Sequence, residues 1–219
     1  MRKALIVMSI LAGPGAAPSI AAETKGVPLA PATAVAGDAA TVCRASKSGR
    51  AGGPVAWRVA RASTASSGVA IAETSQEATD TKYPICVFDS IVATDVEISV
   101  DLTPRDGKLD RAGGLIVRRQ DDNNYYLVRS NALEDNVRLY QTFNGVRRQI
   151  GDASLAIPTG KTHRLGLRVV GDEFTVLFDG KQLYRIRHGG IAARGAVGLW
   201  SKADSLVEFS SLSVTVLKE

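Results

Sequence analysis

A run of strict two-residue alternation is the feature that most limits how this chain can fold. Between positions 94 and 103, aliphatic and polar side chains alternate without interruption: Val96, Ile98, Val100 and Leu102 on one side, and Asp95, Glu97, Ser99 and Asp101 on the other. Side chains of a β-strand point alternately to the two faces of its sheet. The pattern therefore predicts a strand with one buried and one solvated face.

Similar short runs recur along the chain and are separated by tight-turn sequences such as Asp106-Gly107 and Gly171-Asp172. Asn-Gly and Asp-Gly supply the positive φ angles of two-residue hairpin turns. We therefore predict hairpins over 139–151, about Asn144-Gly145, and over 173–186, about Asp179-Gly180. Together with the missing helical period, these runs predict an antiparallel all-β sandwich or barrel. The predicted strands are 55–61, 94–103, 114–119, 124–131, 136–143, 164–170, 173–178, 182–187, 196–200 and 206–217.

The first 22 residues have the three-part layout of a secretory signal peptide. Arg2 and Lys3 precede an apolar run over 4–11, and small residues follow up to Ala21 and Ala22. The apolar run is shorter than the roughly 20 residues that span a bilayer, which argues against a transmembrane anchor. We predict a secreted or periplasmic protein with no membrane anchor once residues 1–22 are removed.

Residues 23–54 are rich in Ala, Gly, Pro, Ser and Thr and nearly lack large apolar side chains. Such a composition predicts a flexible linker, followed by a folded domain over 55–219. The full chain has a formal net charge of +5, which falls to +3 without Arg2 and Lys3, and its basic residues are interspersed with acids. This balance argues against a nucleic-acid partner.

Two cysteines, Cys43 and Cys86, are present. In an oxidising compartment such a pair predicts one disulfide, which would attach the segment around Cys43 to the domain. The alternative is two independent thiols, with Cys86 a small apolar residue within the strand-like run 84–88.

Two segments resemble a known group of domains. They are Asn-Tyr-Tyr-Leu-Val-Arg-Ser-Asn-Ala-Leu-Glu-Asp-Asn over 124–136 and Gly-Leu-Trp-Ser-Lys-Ala-Asp-Ser over 198–205. With 112–119 and 206–217, they resemble bacterial exported concanavalin A-like domains, related to the laminin G-like and 3-keto-disaccharide hydrolase-like groups. The resemblance covers about 57–217. It implies a two-sheet antiparallel jelly roll of lectin type, whose concave sheet commonly meets carbohydrate.

The resemblance and strand parity together yield a candidate ligand site. A sugar site needs planar donors and acceptors for hydroxyl groups and an aromatic face for the ring. The candidate residues are Arg118, Arg129, Asn131, Arg138, Tyr140 and Trp200. The alternative is that the aromatic side chains are packed and the arginines pair with acids on neighbouring strands.

We predict no catalytic residue, and Glu134 is the best candidate for a catalytic acid if the chain has one. Glycoside hydrolysis normally uses two carboxyl groups that flank the scissile bond, whereas the adjacent Glu134 and Asp135 would point to opposite faces of a strand. The Glu-x-Asp-x-Glu pattern of glucanases with this fold is missing. The alternative is that Glu134 and Asp135 form a turn and pair with Arg129 or Arg138.

Metal-site patterns are weak in this chain. Acidic and amide residues in turns offer the oxygen ligands that calcium favours, but their spacing matches no calcium loop, and His163 and His188 lack zinc-ligand spacing. We predict no metal or other cofactor. The leading hypothesis is an exported non-catalytic binding module that contacts carbohydrate. The alternatives are a carbohydrate-active hydrolase or lyase, and a structural exported domain without a ligand.

Overall fold

The computed structural model describes residues 25–31, 33–49, 51–62 and 68–217. Across these ranges the secondary structure consists of β-strands without helices. Consequently, no helix long and apolar enough to cross a bilayer occurs in the described part of the chain. The predicted signal peptide, residues 1–22, lies outside these ranges.

Fifteen strands are present in the described ranges, and they form two antiparallel sheets. The eight-stranded sheet has the order β13-β12-β11-β6-β15-β4-β3, with β1 paired to β15, and the seven-stranded sheet has the order β10-β9-β8-β7-β14-β5-β2. This architecture confirms the predicted two-sheet jelly roll. The strands are β1 Lys25–Val27, β2 Arg44–Ser48, β3 Trp57–Arg61, β4 Val69–Glu73, β5 Tyr83–Ala93, β6 Val96–Asp106, β7 Ala112–Asp121, β8 Asn124–Asn131, β9 Asn136–Phe143, β10 Val146–Ser154, β11 His163–Val170, β12 Glu173–Phe178, β13 Lys181–Arg187, β14 Gly195–Ser201 and β15 Leu206–Val216.

Both predicted hairpins are confirmed. In the first, Asn144 has φ 50° and Gly145 φ 75°, and the turn pairs the residues that flank it, 143 and 146. In the second, Asp179 and Gly180 have the same two φ values. Positive φ at both central residues is the requirement of the type I′ turn, whose twist matches that of antiparallel strands.

The main core lies between the two sheets. The aliphatic side chains of β6 that the alternation predicted to be buried have an exposed fraction of at most 1%. Two pairs of aromatic rings join them: Trp57 packs on Phe209 with centroids 5.8 Å apart, and Tyr126 on Phe174 at 4.5 Å. Complete burial of one such side chain contributes about 1.5–3 kcal/mol.

The prediction of a flexible linker over 23–54 is wrong for the described part of that segment. β1 pairs with β15, β2 pairs with β5, and Leu29 is buried. The predicted disulfide between Cys43 and Cys86 is present, with the two Cα atoms 5.4 Å apart. The composition is indeed too poor in apolar residues to fold alone. The segment is ordered instead by backbone hydrogen bonds to strands of the domain and by one covalent bond.

Candidate functional site

The face of the seven-stranded sheet that points away from the main core carries a second apolar cluster, and we call it the groove face. The pairing register of the strands determines which side chains belong to this cluster, because Leu127 on β8 lies directly opposite both Ile116 on β7 and Tyr140 on β9. A sheet face turned to solvent is normally polar. The cluster consists of Ile85, Val87, Ala112, Ile116, Tyr125, Leu127, Tyr140, Ala196 and Trp200, with Tyr83 packed against it.

The seven-stranded sheet is strongly curved toward its groove face. Arg147 on β10 and Tyr83 on β5 belong to strands five positions apart in the sheet. In a flat sheet five strand spacings would measure about 24 Å, more than the two side chains together can bridge. The guanidinium carbon of Arg147 nevertheless lies 4.6 Å from the ring centroid of Tyr83. The groove face is therefore concave.

Four aromatic side chains, Tyr83, Tyr125, Tyr140 and Trp200, form what we call the aromatic floor of this groove. Trp200 and Tyr83 are stacked, with centroids 5.7 Å apart and planes inclined by 21°. The guanidinium of Arg147 covers the floor, at 4.8 Å from the Tyr140 centroid and 5.7 Å from that of Trp200. Tyr125 and Trp200 are completely buried beneath this cover.

Several buried polar atoms converge at the floor without hydrogen-bond partners in the described part of the chain. They are Tyr125 Oη, Thr142 Oγ1, Arg147 Nη1 and Trp200 Nε1. Burial raises the pKa of the Tyr125 phenol, and the nearby polar groups of Ser48, Thr142, Arg147 and Trp200 act in the opposite direction. The phenol is thus neutral at physiological pH and can both donate and accept. Unsatisfied buried polar groups are costly, so this cluster has the character of a binding site.

A network of charges borders the floor on β8 and β9. Arg129 Nη2 donates to Glu134 Oε2 at 3.0 Å and to Tyr140 Oη at 3.1 Å. Arg138 donates to the same Glu134 oxygen at 2.7 Å and to Asp152 Oδ1 at 3.0 Å. The network therefore fixes the orientation of the Tyr140 ring through its hydroxyl group.

Glu134 pairs with Arg129 and Arg138, as the alternative to a catalytic role predicted. Partial burial raises its pKa, but the hydrogen bond from Asn136 and the charges of Arg129 and Arg138 outweigh that effect and hold the pKa below its usual range. Asp135 lies in the β8–β9 connection, where its carboxylate accepts a hydrogen bond from the backbone N–H of Ile157. A carboxyl group with a lowered pKa is a poor proton donor at neutral pH.

Replacement of Glu134 by glutamine is expected to make stability less dependent on pH. Because the folded-state pKa of Glu134 lies below its unfolded value, its ion pairs stabilise the fold above that unfolded value, about 4.3. This contribution is lost as pH falls through the folded-state pKa. Urea unfolding should show the wild type more stable than E134Q at pH 7, with the difference closing toward pH 3. A difference that stays constant over this range would contradict the assignment.

The structure brings together Arg129, Arg138, Tyr140 and Trp200 on the groove face, and their role in ligand binding stays a prediction. Asn131 shares their strand face, but its amide group is committed to local structure. It donates to Asp110 Oδ1 at 2.7 Å and accepts from the backbone N–H of Leu133 at 2.9 Å. Asn131 therefore fixes the turns at one end of the groove.

Arg118, although the sequence grouped it with the other ligand-site candidates, does not lie on the groove face. The pairing of β7 with β8 shifts register between Val117 and Asp121, and Arg118 has φ 50°. This bulge reverses the alternation. Arg118 turns inward, where it donates to the backbone carbonyls of residues 94, 171 and 191. Arg119, which pairs opposite Ala196, takes its place on the groove face.

Sequence reasoning missed Arg147 and Tyr83. For each of them the sequence contains a pattern that could have identified it. The two-residue turn at 144–145 sets a register that places Arg147 opposite Thr142, on the face of Tyr140. Tyr83 begins the alternation that continues through Ile85 and Val87. As for metals, no group of three or more candidate ligands occurs among the residues described.

Comparison with known proteins finds relatives of part of this chain and solved structures with a similar fold. No family model matches the chain. A levanase of Bacillus subtilis (strain 168) is 28% identical over 114 residues, which are 52% of this chain and only 17% of the levanase. The carbohydrate-binding module CBM66 from Bacillus subtilis superimposes with a TM-score of 0.58 and 23% identity, over 66% of this chain and 86% of the module.

A second solved structure has the same fold. It is domain 4 of AbnA, an extracellular GH43 arabinanase from Geobacillus stearothermophilus, in complex with arabinotriose. It superimposes with a TM-score of 0.50 and 13% identity, over 78% of this chain and 82% of that domain. These similarities confirm the lectin-like jelly roll that the sequence predicted.

Proposed function

We propose that this chain is a non-catalytic carbohydrate-binding module whose ligand occupies the groove face. The observation that carries the proposal is the meeting of an aromatic floor with unpartnered donors and acceptors in one concave groove. A sugar ring offers C–H groups that pack on aromatic faces and hydroxyl groups that both donate and accept. Binding sites for small ligands have this composition, an apolar lining with a few convergent polar groups.

The acids of the groove face support binding rather than hydrolysis. Four acids at this face have arginine partners: Asp89 pairs with Arg44, Asp122 with Arg119, Glu134 with Arg129 and Arg138, and Asp152 with Arg138. A glycosidase needs one carboxyl group that stays protonated near neutral pH. The groove itself, and the lack of an acidic partner for Arg147 in the described ranges, favour a binding module over a structural domain without a ligand.

The neighbours support the same function, since one is a carbohydrate-binding module and another holds arabinotriose. Export is part of the proposal. The signal-peptide pattern of residues 1–22 directs the chain out of the cytoplasm, and the disulfide between Cys43 and Cys86 is typical of oxidising compartments. The location of the glycan ligand decides whether the protein acts in the periplasm or outside the cell.

Replacement of Tyr83 by alanine is expected to weaken glycan binding about tenfold or more. Tyr83 is half-buried and stacks on Trp200 from the rim, so its loss removes the accessible part of the aromatic floor. Aromatic packing beyond area burial is worth about 0.5–1.5 kcal/mol, and 1.4 kcal/mol corresponds to tenfold in affinity. Isothermal titration against a panel of soluble glycans, with levan and arabinan included, measures the change.

Phe143 supplies the matched control for this experiment. It is another exposed aromatic side chain of the same sheet, but it lies on the opposite face at the tip of the β9–β10 hairpin. F143A should bind as the wild type does. Equal losses in Y83A and F143A, or no saturable binding to any glycan of a broad panel, would overturn the proposed function.

A further inference from the structure

Arg147 differs from every other arginine of the groove face in its partners. Arg44, Arg119, Arg129 and Arg138 each donate to a carboxylate at 3.0 Å or less. Within the described ranges Arg147 forms no ion pair, and its guanidinium contacts the ring faces of Tyr83, Tyr140 and Trp200 instead. Of these five arginines, Arg147 is therefore the one whose charge no carboxylate of the described ranges compensates.

The guanidinium of Arg147 also has unused hydrogen-bonding capacity. Its Nη1 atom is buried and has no partner in the described part of the chain. A partly desolvated charge without a counterion is unfavourable, and the fork of N–H donors of arginine matches a carboxylate in two parallel hydrogen bonds. Arg147 lies over the aromatic floor, so its side chain is long enough to reach the edge of a sugar ring bound there once the guanidinium has moved aside.

We propose that the ligand is an acidic saccharide, one whose sugar ring bears a carboxylate, and that Arg147 is the residue that selects it. The inference rests on the proposed function, since it names the ligand class of the same groove. In the complex, the carboxylate accepts hydrogen bonds from the N–H groups at the edge of the guanidinium. The sugar ring replaces the guanidinium over the aromatic floor. Charge-assisted hydrogen bonds to a carboxylate exceed cation–π contacts at a partly exposed site, so the exchange is favourable.

The location of Arg147 permits this exchange. It lies one residue into β10, directly after the β9–β10 turn, and β10 is the edge strand of its sheet. The flanking residues Val146 and Arg148 are exposed, so the side chain can leave the rings without disturbing the core. Arg119 and Arg129 have no such freedom, because both are buried with their acids alongside.

Two ligands that differ only at the carboxyl group test the proposal. A galacturonic acid oligomer and the same oligomer with its carboxyl groups methyl-esterified are titrated into the full chain by calorimetry, with neutral levan as a third ligand. The wild type should prefer the acid form by about tenfold or more, the effect expected for loss of a charge-assisted hydrogen bond. In R147Q the preference should fall to about twofold or less, with binding of the ester retained. Added salt should weaken binding of the acid form alone.

Arg148 provides the matched control. It is adjacent in sequence and carries the same charge, but it is exposed on the opposite face of β10. R148Q should keep the full preference for the acid form. If the wild type binds acid and ester alike, or if R147Q and R148Q lower the preference equally, the assignment of Arg147 is overturned while carbohydrate binding stands. If levan or another glycan of the broad panel binds but the acid oligomer does not, the inference fails while the proposed function stands. If no glycan of the panel binds, both fail.

Discussion

Replacement of Trp200 by alanine is expected to lower the free energy of unfolding by about 3–5 kcal/mol, the range for deletion of a buried large aromatic side chain. Trp200 is completely buried at the centre of the groove face, between Ile85 on β5 and Gly114 on β7. Its indole ring supports Tyr83 and lies beneath Arg147. Urea unfolding followed by circular dichroism measures the loss, and glycan binding should vanish with it.

Trp200→Phe separates the two effects of this change. Phenylalanine keeps a planar ring in the floor but removes the indole N–H, which has no partner among the described residues. W200F should therefore lose much less stability than W200A, while still binding glycan more weakly than the wild type. A W200A protein within about 1 kcal/mol of the wild type would show that the floor is loosely packed, contrary to the complete burial of Trp200.

Replacement of Cys43 by alanine is expected to destabilise the protein by about 4 kcal/mol. The Cys43–Cys86 bond closes a loop of sequence separation 43, and the chain-entropy model gives about this value for a loop of that length. The loss also frees β2, whose register places Ser46 and Ser48 opposite Ile85 and Tyr83 along one wall of the groove. Chemical denaturation without reductant, compared with that of the wild type, measures the effect.

The double variant C43A/C86A is the control for the buried thiol that C43A leaves behind. Its free energy of unfolding should equal that of C43A, apart from the small loss caused by the cavity at position 86. Reduction of the wild-type protein should bring its unfolding midpoint to that of C43A. A C43A protein as stable as the wild type would mean that strand pairing with β5 alone holds β2.

The sequence predicted most of the fold because the signals were local. Strict alternation and Asn-Gly or Asp-Gly turns recovered β8, β9 and β12 with their observed bounds. β1 and β2 were missed because their order comes from edges of distant strands and from a disulfide, and their own composition does not reveal either. The interruption of β7 at Arg118 was also missed, since a bulge depends on pairing with its partner strands rather than on the strand alone.

The candidate site was predicted in part for the same reason. Parity within β8 and β9 correctly grouped Arg129, Arg138 and Tyr140 on one face. The contact between Arg147 and Tyr83 spans five strand positions and exists only because the sheet is curled. Curvature is a property of the assembled sheet, so no pattern along one strand reports it.

The two walls of the groove differ in how firmly they are held in place. The wall that includes β2 is fastened covalently through Cys43. The wall that includes β10 ends in a hairpin that is held at its turn by hydrogen bonds alone, with exposed Phe143 and Val146 at its tip. Changes in hairpin sequence or length can therefore alter groove width and selectivity while the fastened wall keeps its position. For engineering, the segment 143–148 is the place to diversify a library, and the disulfide-linked strand is the scaffold to leave intact.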